Sequence, residues 1–273
     1  MSQGFRLLRL EYIFSVIVPC LFAIYLNDYS LLDHLEVLAG FGFWAICGNT
    51  LNDLKDMDDP NDIETQKRTE GYSKKEIGVL SITGFILGAA SFINPVKNHP
   101  EILYYLIAIV IMVVLYCIAL KPVLIINWIL LGVSHMWFPY FIIKINAGDS
   151  INGWPILEYY EWYLLACASA MALAGNLVHE IVDGDAITNY SLNTQKWILR
   201  IVAIVSLIMG VLALILFPDL VLYFFPFVLF PVGILYIARS DDSLPHGRTS
   251  IKDTGIIAGN MIFAFVIILI LAK

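Results

Sequence analysis

The chain has 273 residues, of which 59% are hydrophobic and only 14% are charged, and its mean hydropathy is +0.79. These values are typical of integral membrane proteins and exclude an ordinary soluble globular domain. The net charge of −7 gives no indication of a nucleic-acid partner.

Nine apolar runs are long enough to cross a bilayer, which requires a helix of about 20 residues. They lie near 11–27, 36–54, 77–94, 102–119, 123–145, 160–182, 197–216, 219–238 and 254–272. A spanning backbone must satisfy its own hydrogen bonds, and little sequence lies outside these runs. We therefore expect one all-α membrane domain over 1–273, a polytopic bundle of about nine transmembrane helices, with no obligatory protein partner.

The first apolar run follows Arg6 and Arg9 and so resembles the start of a signal peptide. It has no clear small-residue cleavage site, and further spans follow, so we expect a retained helix. All four cysteines fall inside predicted spans without metal-ligand spacing, which indicates small apolar packing residues.

The second run ends in an acidic motif that contains Asn49, Asn52, Asp53 and Asp56. The spacing of Asn49, Asp53 and Asp56 places their side chains on one face of a helix. One interpretation is a solvated acidic loop. The other is a site for a hard divalent cation such as Mg²⁺, which binds carboxylate and amide oxygens. Whether Asp58, Asp59 or Asp62 extends such a site is left open.

The connection after this motif carries Lys67, Arg68, Lys74 and Lys75. The topology rule for basic residues explains some of them. The alternative is that Lys67 or Arg68 binds phosphate oxygens, and the fork geometry of arginine favours Arg68.

The connection after the fourth run is very short, which places Lys121 at the membrane surface with Tyr116 nearby. Lys121 is either an interfacial lysine that extends to water or a phosphate ligand. Tyr116 is a further candidate for phosphate binding.

The sixth run ends in a second acidic motif with Asn176, His179, Glu180 and Asp183, which repeats the spacing of the first. Glu180 and Asp183 correspond to Asp53 and Asp56. Ionisable groups at the edge of a hydrocarbon layer indicate a functional site. His179 is either a ligand or a hydrogen-bonding residue at the helix end, and a metal role for Asp185 is left open.

With the N-terminus in the cytoplasm, all of the 16 Lys and Arg residues except Lys97, Lys144 and Lys273 lie on the cytoplasmic side. This distribution follows the positive-inside rule. It predicts a multi-pass protein, in the inner or plasma membrane if bacterial, with both acidic motifs facing the cytoplasm.

The two acidic motifs, together with Tyr116 and Lys121 after the fourth span, resemble the UbiA superfamily of intramembrane prenyltransferases. The resemblance covers nearly the whole chain. It implies a helical bundle around a central cavity in which Mg²⁺ and an isoprenyl diphosphate bind. The function implied is transfer of the isoprenyl group to a lipophilic acceptor, such as an aromatic compound or quinone precursor, among membrane lipids. The last Asp of the family's first motif falls on Pro60, so Asp59 or Asp62 would replace it.

The predicted site is as follows. The metal ligands are Asn52, Asp53, Asp56, Glu180 and Asp183. The diphosphate-binding residues are Asn49, Asn52, Lys67, Arg68, Tyr116, Lys121 and Asn176. The residues expected to carry catalysis are Asp53, Asp56, Asp183, Lys121 and Arg68.

The sequence leaves three other functions to consider. A membrane terpene cyclase would ionise the same diphosphate without an acceptor, and the motifs do not distinguish it. A cation-coupled transporter could use paired acidic helices, but its sites are expected near the bilayer midplane. A CDP-alcohol phosphotransferase would need a D-x-x-D-G-x-x-A-R sequence, which is absent.

Overall fold

The computed structural model describes residues 6–58, 62–120, 123–184, 186–245 and 249–273, which form an almost entirely helical protein. The helices are α1 Phe14–Leu26, α2 Leu35–Asp56, α3 Ile63–Thr69, α4 Lys74–Ser91, α5 Ile93–Asn98, α6 Ile102–Leu115, α7 Leu124–Gly132, α8 Phe138–Asn146, α9 Tyr159–Asp183, α10 Leu192–Leu216, α11 Val221–Ile237 and α12 Thr249–Leu271. π-helical turns at Tyr116–Leu120 and Val133–Trp137 continue α6 and join α7 to α8.

Each predicted span falls on a helix, which confirms the polytopic all-α fold. Among the described residues, six stretches are long and apolar enough to cross a membrane: Lys74–Asn98, Ile102–Leu120, Ile125–Asn146, Tyr159–Val182, Leu192–Leu216 and Thr254–Leu271. Leu10–Leu26 and Phe225–Ile237 are shorter apolar helices. The helix α2 has 22 residues but ends in the polar first motif. The chain is therefore a multi-pass membrane protein, and the count of nine crossings stays a prediction.

The described residues pack into two compact units. The first takes in those within Met1–Leu120, Val133–Ile156 and Ile256–Lys273, and the second those within Lys121–Gly132 and Leu157–Gly255. The first acidic motif belongs to the first unit and the second motif to the second. A single domain over the whole chain stays a prediction.

In the first unit, α2 and α4 pack closely because small residues line their contact. A Cβ atom at Gly88 would lie 2.1 Å from Cδ1 of Trp44, and one at Gly84 would lie 3.0 Å from the Phe43 carbonyl oxygen. The indole of Trp44 stacks on Phe85 and donates to its carbonyl oxygen at 3.2 Å. Small residues commonly allow such close approach of membrane helices.

The first unit also contains a polar cluster around Lys144, whose side chain is buried so that the residue is only 1% exposed. Its Nζ lies 2.6 Å from Oδ2 of Asp149 and 2.8 Å from Oδ1 of Asn27. The Tyr29 hydroxyl donates to the same Asp149 oxygen at 2.8 Å. Burial alone would raise the pKa of Asp149, but the hydrogen bonds from Lys144 and Tyr29 lower it below its usual value.

A two-residue hairpin follows this cluster. Ser150–Ile151 pairs antiparallel with Trp154–Pro155, and the turn residues Asn152 and Gly153 both have positive φ. Asn-Gly is the preferred sequence for such a turn. It adds the only strands among the described residues to a fold expected to be all-α.

The second unit buries one apolar face of α9 against α10 and α11. Leu177 and Ile181 pack with Leu199, Ala203 and Ile234 in its core. This face fixes the rotation of α9 about its axis, so Asn176 and Glu180 occupy defined positions at the end of the helix. Gly184, with φ of 81°, ends α9 in the left-handed conformation that glycine adopts readily.

Candidate active site

The first acidic motif occupies the last two turns of α2. Asp53 is completely buried, whereas Asn49, Asn52 and Asp56 are half-buried. The free carbonyl groups at the C-terminal end of a helix carry partial negative charge. Carboxylates placed there add to that charge, so this end of α2 favours bound cations.

Asp53 forms ion pairs with two arginines. Arg68 holds the carboxylate by a two-point fork, with Nε 2.8 Å from Oδ2 and Nη2 2.7 Å from Oδ1. Nη1 of Arg9 lies 3.3 Å from the same Oδ1 atom. Since Asp53 is 0% exposed, these groups replace water around the carboxylate. Removing one partner from a buried pair typically costs about 3–5 kcal/mol.

The short helix α3 places Arg68. Asp62 caps this helix by accepting hydrogen bonds from the Thr65 amide at 2.9 Å and the Thr65 hydroxyl at 2.6 Å. The Thr65 oxygen accepts in turn from Nη2 of Arg68 at 2.8 Å. Burial alone would lower the pKa of Arg68, but hydrogen bonding to Asp53 and its charge outweigh burial and raise the pKa. Arg68 therefore remains fully charged.

Asn52 and Asp56 form a second pair on the same helix. The Asn52 amide nitrogen donates to Oδ2 of Asp56 at 3.0 Å. The side-chain oxygen of Asn52, Oδ1, is buried and has no hydrogen-bond partner in the described part of the chain. A buried carbonyl oxygen without a donor is costly, and a hard cation would satisfy it.

The second acidic motif lies on the last turns of α9, and its centre is Glu180, which is 3% exposed. Oε1 of Glu180 accepts from the Asn176 amide at 2.9 Å and from the Asn127 amide at 3.0 Å. The Trp128 indole nitrogen lies 3.3 Å from the same oxygen. Three neutral donors thus fix one oxygen of a buried carboxylate.

The sequence repeat is not a repeat of contacts. The repeat matches Asp53 with Glu180, but both oxygens of Asp53 contact arginines, whereas Oε1 of Glu180 accepts from three neutral donors. The shared contact is an asparagine that donates to the carboxylate one turn later. This contact joins Asn52 to Asp56 in one motif and Asn176 to Glu180 in the other.

The other predicted site residues are placed as follows. Lys67 is exposed on α3, Tyr116 is half-buried in a π-helical turn that contacts α2, and the Asn49 amide lies 3.5 Å from the Arg9 carbonyl oxygen. At the surface, Asp58 pairs with Lys74. Asp183 is the last residue of α9, but its side chain lies outside the description, as do residues Asp59, Lys121 and Asp185.

Within the residues described, no group of three or more His, Cys, Asp or Glu side chains could hold a metal ion by itself. Mg²⁺ needs no such group, because it usually keeps several waters and binds one or two carboxylates together with substrate phosphates. The pairs Asn52–Asp56 and Asn176–Glu180 supply oxygen donors of this kind. The donor sets are therefore compatible with Mg²⁺.

Three residues of these sites lie outside the set predicted from the sequence. Arg9 counts in the sequence only toward the distribution of basic residues, and in the structure its φ of 47° is positive, which is uncommon outside glycine. Asn127 and Trp128 belong to an apolar run, and their spacing gives no signal of a contact with Glu180. An asparagine at the start of a predicted membrane helix was the only available indication.

No family model and no curated protein matches this sequence. Solved structures do match it. A UbiA homologue from Archaeoglobus fulgidus bound to GPP and Mg²⁺ has a TM-score of 0.70 at 15% identity, over 98% of this chain and 99% of that one. The same homologue bound to DMAPP and Mg²⁺ has a TM-score of 0.71 at 14% identity, over all of both chains.

A structure of digeranylgeranylglyceryl phosphate synthase in membranes is also similar, with a TM-score of 0.57 at 15% identity over 100% of this chain and 98% of that one. At such low identity, the likeness establishes the fold. The resemblance inferred from the two acidic motifs is confirmed at that level.

Proposed function

We propose that this protein, which has the UbiA fold over its whole length, is a Mg²⁺-dependent prenyltransferase. It transfers the isoprenyl group of an isoprenyl diphosphate to a lipophilic acceptor in the membrane. The observation that carries the proposal is the Asn–carboxylate pair at the end of α2 and again at the end of α9, with the unpartnered Asn52 oxygen in the first. Similar structures bound to GPP or DMAPP with Mg²⁺ support this substrate class.

Each motif supplies its own metal-binding residues in this proposal. Asn52 and Asp56 would hold Mg²⁺ in the first motif, and Glu180 and Asp183 would do so in the second. Bound Mg²⁺ would neutralise the diphosphate and make it a better leaving group. The three donors on Oε1 of Glu180 keep this carboxylate in one orientation, as outer-shell partners of metal ligands commonly do.

Basic and polar residues bind the diphosphate. Arg68 contributes charge and a planar donor set suited to phosphate oxygens, with Lys67 on the same helix. The sequence-based candidates Asn49, Tyr116, Lys121 and Asn176 complete the set. These groups stabilise the negative charge that develops on the departing oxygens. The distribution of Lys and Arg supports a site that faces the cytoplasm.

The proposal is tested with purified full-length protein, Mg²⁺ and isoprenyl diphosphates of increasing chain length, first without and then with acceptor lipids. Diphosphate release that requires both an acceptor and Mg²⁺, and stops in excess chelator, is the expected result. A cyclised hydrocarbon formed without an acceptor would instead establish the cyclase. Full activity in chelator would refute the metal site.

A matched pair of variants in one segment tests the placement of the site. We expect Asp56→Asn to lower turnover by about 100-fold or more. The variant lacks a charged metal ligand, and the metal would stabilise the charge that develops on the departing diphosphate in the transition state. Asp58→Asn removes an equal charge two residues away, on an exposed side chain that pairs with Lys74. Its turnover should stay within about twofold of the parent, since exposed ion pairs contribute little. Equal losses in the two variants would contradict the assignment.

A further inference from the structure

We propose that Asp53 is a positioning residue for the diphosphate site rather than a metal ligand, and that it acts by holding Arg9 and Arg68 together. This inference rests on the proposed function and replaces the metal role that the sequence predicted for Asp53. It also assigns to Arg9 a part in diphosphate binding.

The carboxylate of Asp53 is already surrounded by cations. Oδ1 lies 2.7 Å from Nη2 of Arg68 and 3.3 Å from Nη1 of Arg9, and Oδ2 lies 2.8 Å from Nε of Arg68. Mg²⁺ binds oxygen at about 2.1 Å. A divalent ion on either oxygen would therefore lie next to at least one guanidinium at a buried carboxylate, where repulsion between cations is strong.

The adjacent pair, Asn52 and Asp56, has an oxygen that lacks a donor. The two residues lie one turn apart, and the side-chain oxygen of Asn52, Oδ1, is buried without a donor among the described residues. Successive residues on a helix point about 100° apart, so Asn52 and Asp53 present their side chains in different directions. Asp56 lies about 60° from Asp53 around the helix, and what distinguishes the two carboxylates is their contacts: Asn52 donates to Asp56, whereas the arginines hold Asp53.

Several contacts hold Arg9 in place beside Asp53. It is 7% exposed, its guanidinium lies 4.4 Å from the ring centroid of Tyr12, and its backbone has the uncommon φ of 47°. Its Nε atom is buried and has no hydrogen-bond partner within the described residues. A buried guanidinium with an unused donor requires an acceptor, and a phosphate oxygen provides one.

The charges around the arginines also favour this role. Two guanidinium groups lie against the single carboxylate of Asp53, and the charge of Asp62 acts on Arg68 as well. Asp53 lowers the repulsion between the arginines enough to keep them side by side, so that both guanidinium groups can bind one anion. The oxygens of a diphosphate could then accept hydrogen bonds from the guanidinium groups of Arg9 and Arg68, whose orientation Asp53 fixes before the ligand binds.

The test measures metal and diphosphate binding separately in the full-length protein. Mn²⁺ replaces Mg²⁺ and is followed by electron paramagnetic resonance, and GPP binding is measured at saturating Mg²⁺. For Asp53→Asn we expect the Kd for GPP to rise by about tenfold or more, equivalent to about 1.4 kcal/mol, with the Kd for Mn²⁺ within about threefold of the parent. For Asp56→Asn we expect Mn²⁺ binding to weaken by about tenfold or more. Loss of Mn²⁺ binding in a folded Asp53→Asn protein would overturn the proposal.

A second background keeps the test decisive if Asp53→Asn does not fold with two unpaired arginines. In the Arg9→Gln, Arg68→Gln protein, the further change Asp53→Asn should alter the Kd for GPP by less than about twofold, because the groups through which Asp53 acts are gone. If Asp53 were a metal ligand, Asp53→Asn would still lower the affinity for Mn²⁺ in this background, and that result would refute the positioning role. If the parent binds neither Mn²⁺ nor GPP, the proposed function fails, and the positioning role fails with it.

Discussion

At the scale of single residues, the buried carboxylates of the two motifs, Asp53 and Glu180, differ in the groups that donate to them. Asp53 is paired with guanidinium groups, whereas Oε1 of Glu180 accepts from the neutral groups of Asn127, Trp128 and Asn176. The three donors hold Oε1 of Glu180 in one orientation, as the outer-shell partners of metal ligands commonly do.

This difference gives a prediction for Glu180. Glu180→Gln retains a carbonyl oxygen that accepts from the same donors, so the protein should fold, but the missing charge should lower turnover by about 100-fold. Glu180→Asp keeps the charge on a shorter side chain and should regain partial activity at raised Mg²⁺, since water can fill a gap in the Mg²⁺ shell. A Mg²⁺ titration of both variants against the parent measures this.

Asp241→Asn is the control for these variants. Its exposed carboxylate pairs with Lys196 at the surface, so turnover should change little. If Glu180→Gln matched the parent at low Mg²⁺, Glu180 would be a structural residue. The second motif would then rest on Asn176 and Asp183.

At the scale of secondary-structure elements, the crossing of α2 and α4 supports the first motif. The Trp44 indole fills the space left by Gly88 and stacks on Phe85. About one turn further along α2, the Cys47 carbonyl oxygen accepts from the Ser81 hydroxyl at 3.1 Å. These contacts fix the position of α2 before its polar end begins.

We predict that Gly88→Ala destabilises the protein by about 1–3 kcal/mol, because its Cβ would lie 2.1 Å from Trp44 and 3.0 Å from the Gly40 carbonyl oxygen. Gly42→Ala on the same helix as Trp44 meets no atom within 4 Å. Its stability should stay the same or rise by up to about 1 kcal/mol, since alanine favours helix over glycine. Thermal unfolding in detergent compares the two variants. An equal loss in both would show that the crossing is not closely packed.

At the scale of the whole molecule, the spans were predictable because length and hydropathy alone define a membrane helix. The two acidic motifs were predictable because carboxylates are rare beside apolar runs. The partners of those carboxylates were not. Arg9 and Asp53 are 44 residues apart, and no local pattern links them. The topology assignment only places Lys144 on the non-cytoplasmic side, and the packed structure shows that it is buried.

If the proposed function is correct, ligand binding should stabilise the whole molecule. GPP with Mg²⁺ at about 100 times its Kd should add about 2.7 kcal/mol, which raises the unfolding midpoint by several degrees. Excess chelator should abolish the rise. Geraniol, which has the same carbon chain without the diphosphate, is the control and should give little or no shift. An equal shift with geraniol would indicate binding of the hydrocarbon chain alone.

The buried ammonium group of Lys144 has a consequence for biogenesis. Its partner Asn27 precedes it by 117 residues, and its partner Asp149 follows it in the chain. An unpaired lysine at the edge of a bilayer is costly, so α8 reaches its final packed position only when both partners of Lys144 are present. The end of α1 must therefore remain accessible while the intervening helices are inserted. The first helix reaches its final contacts only after more than half of the chain has been synthesised.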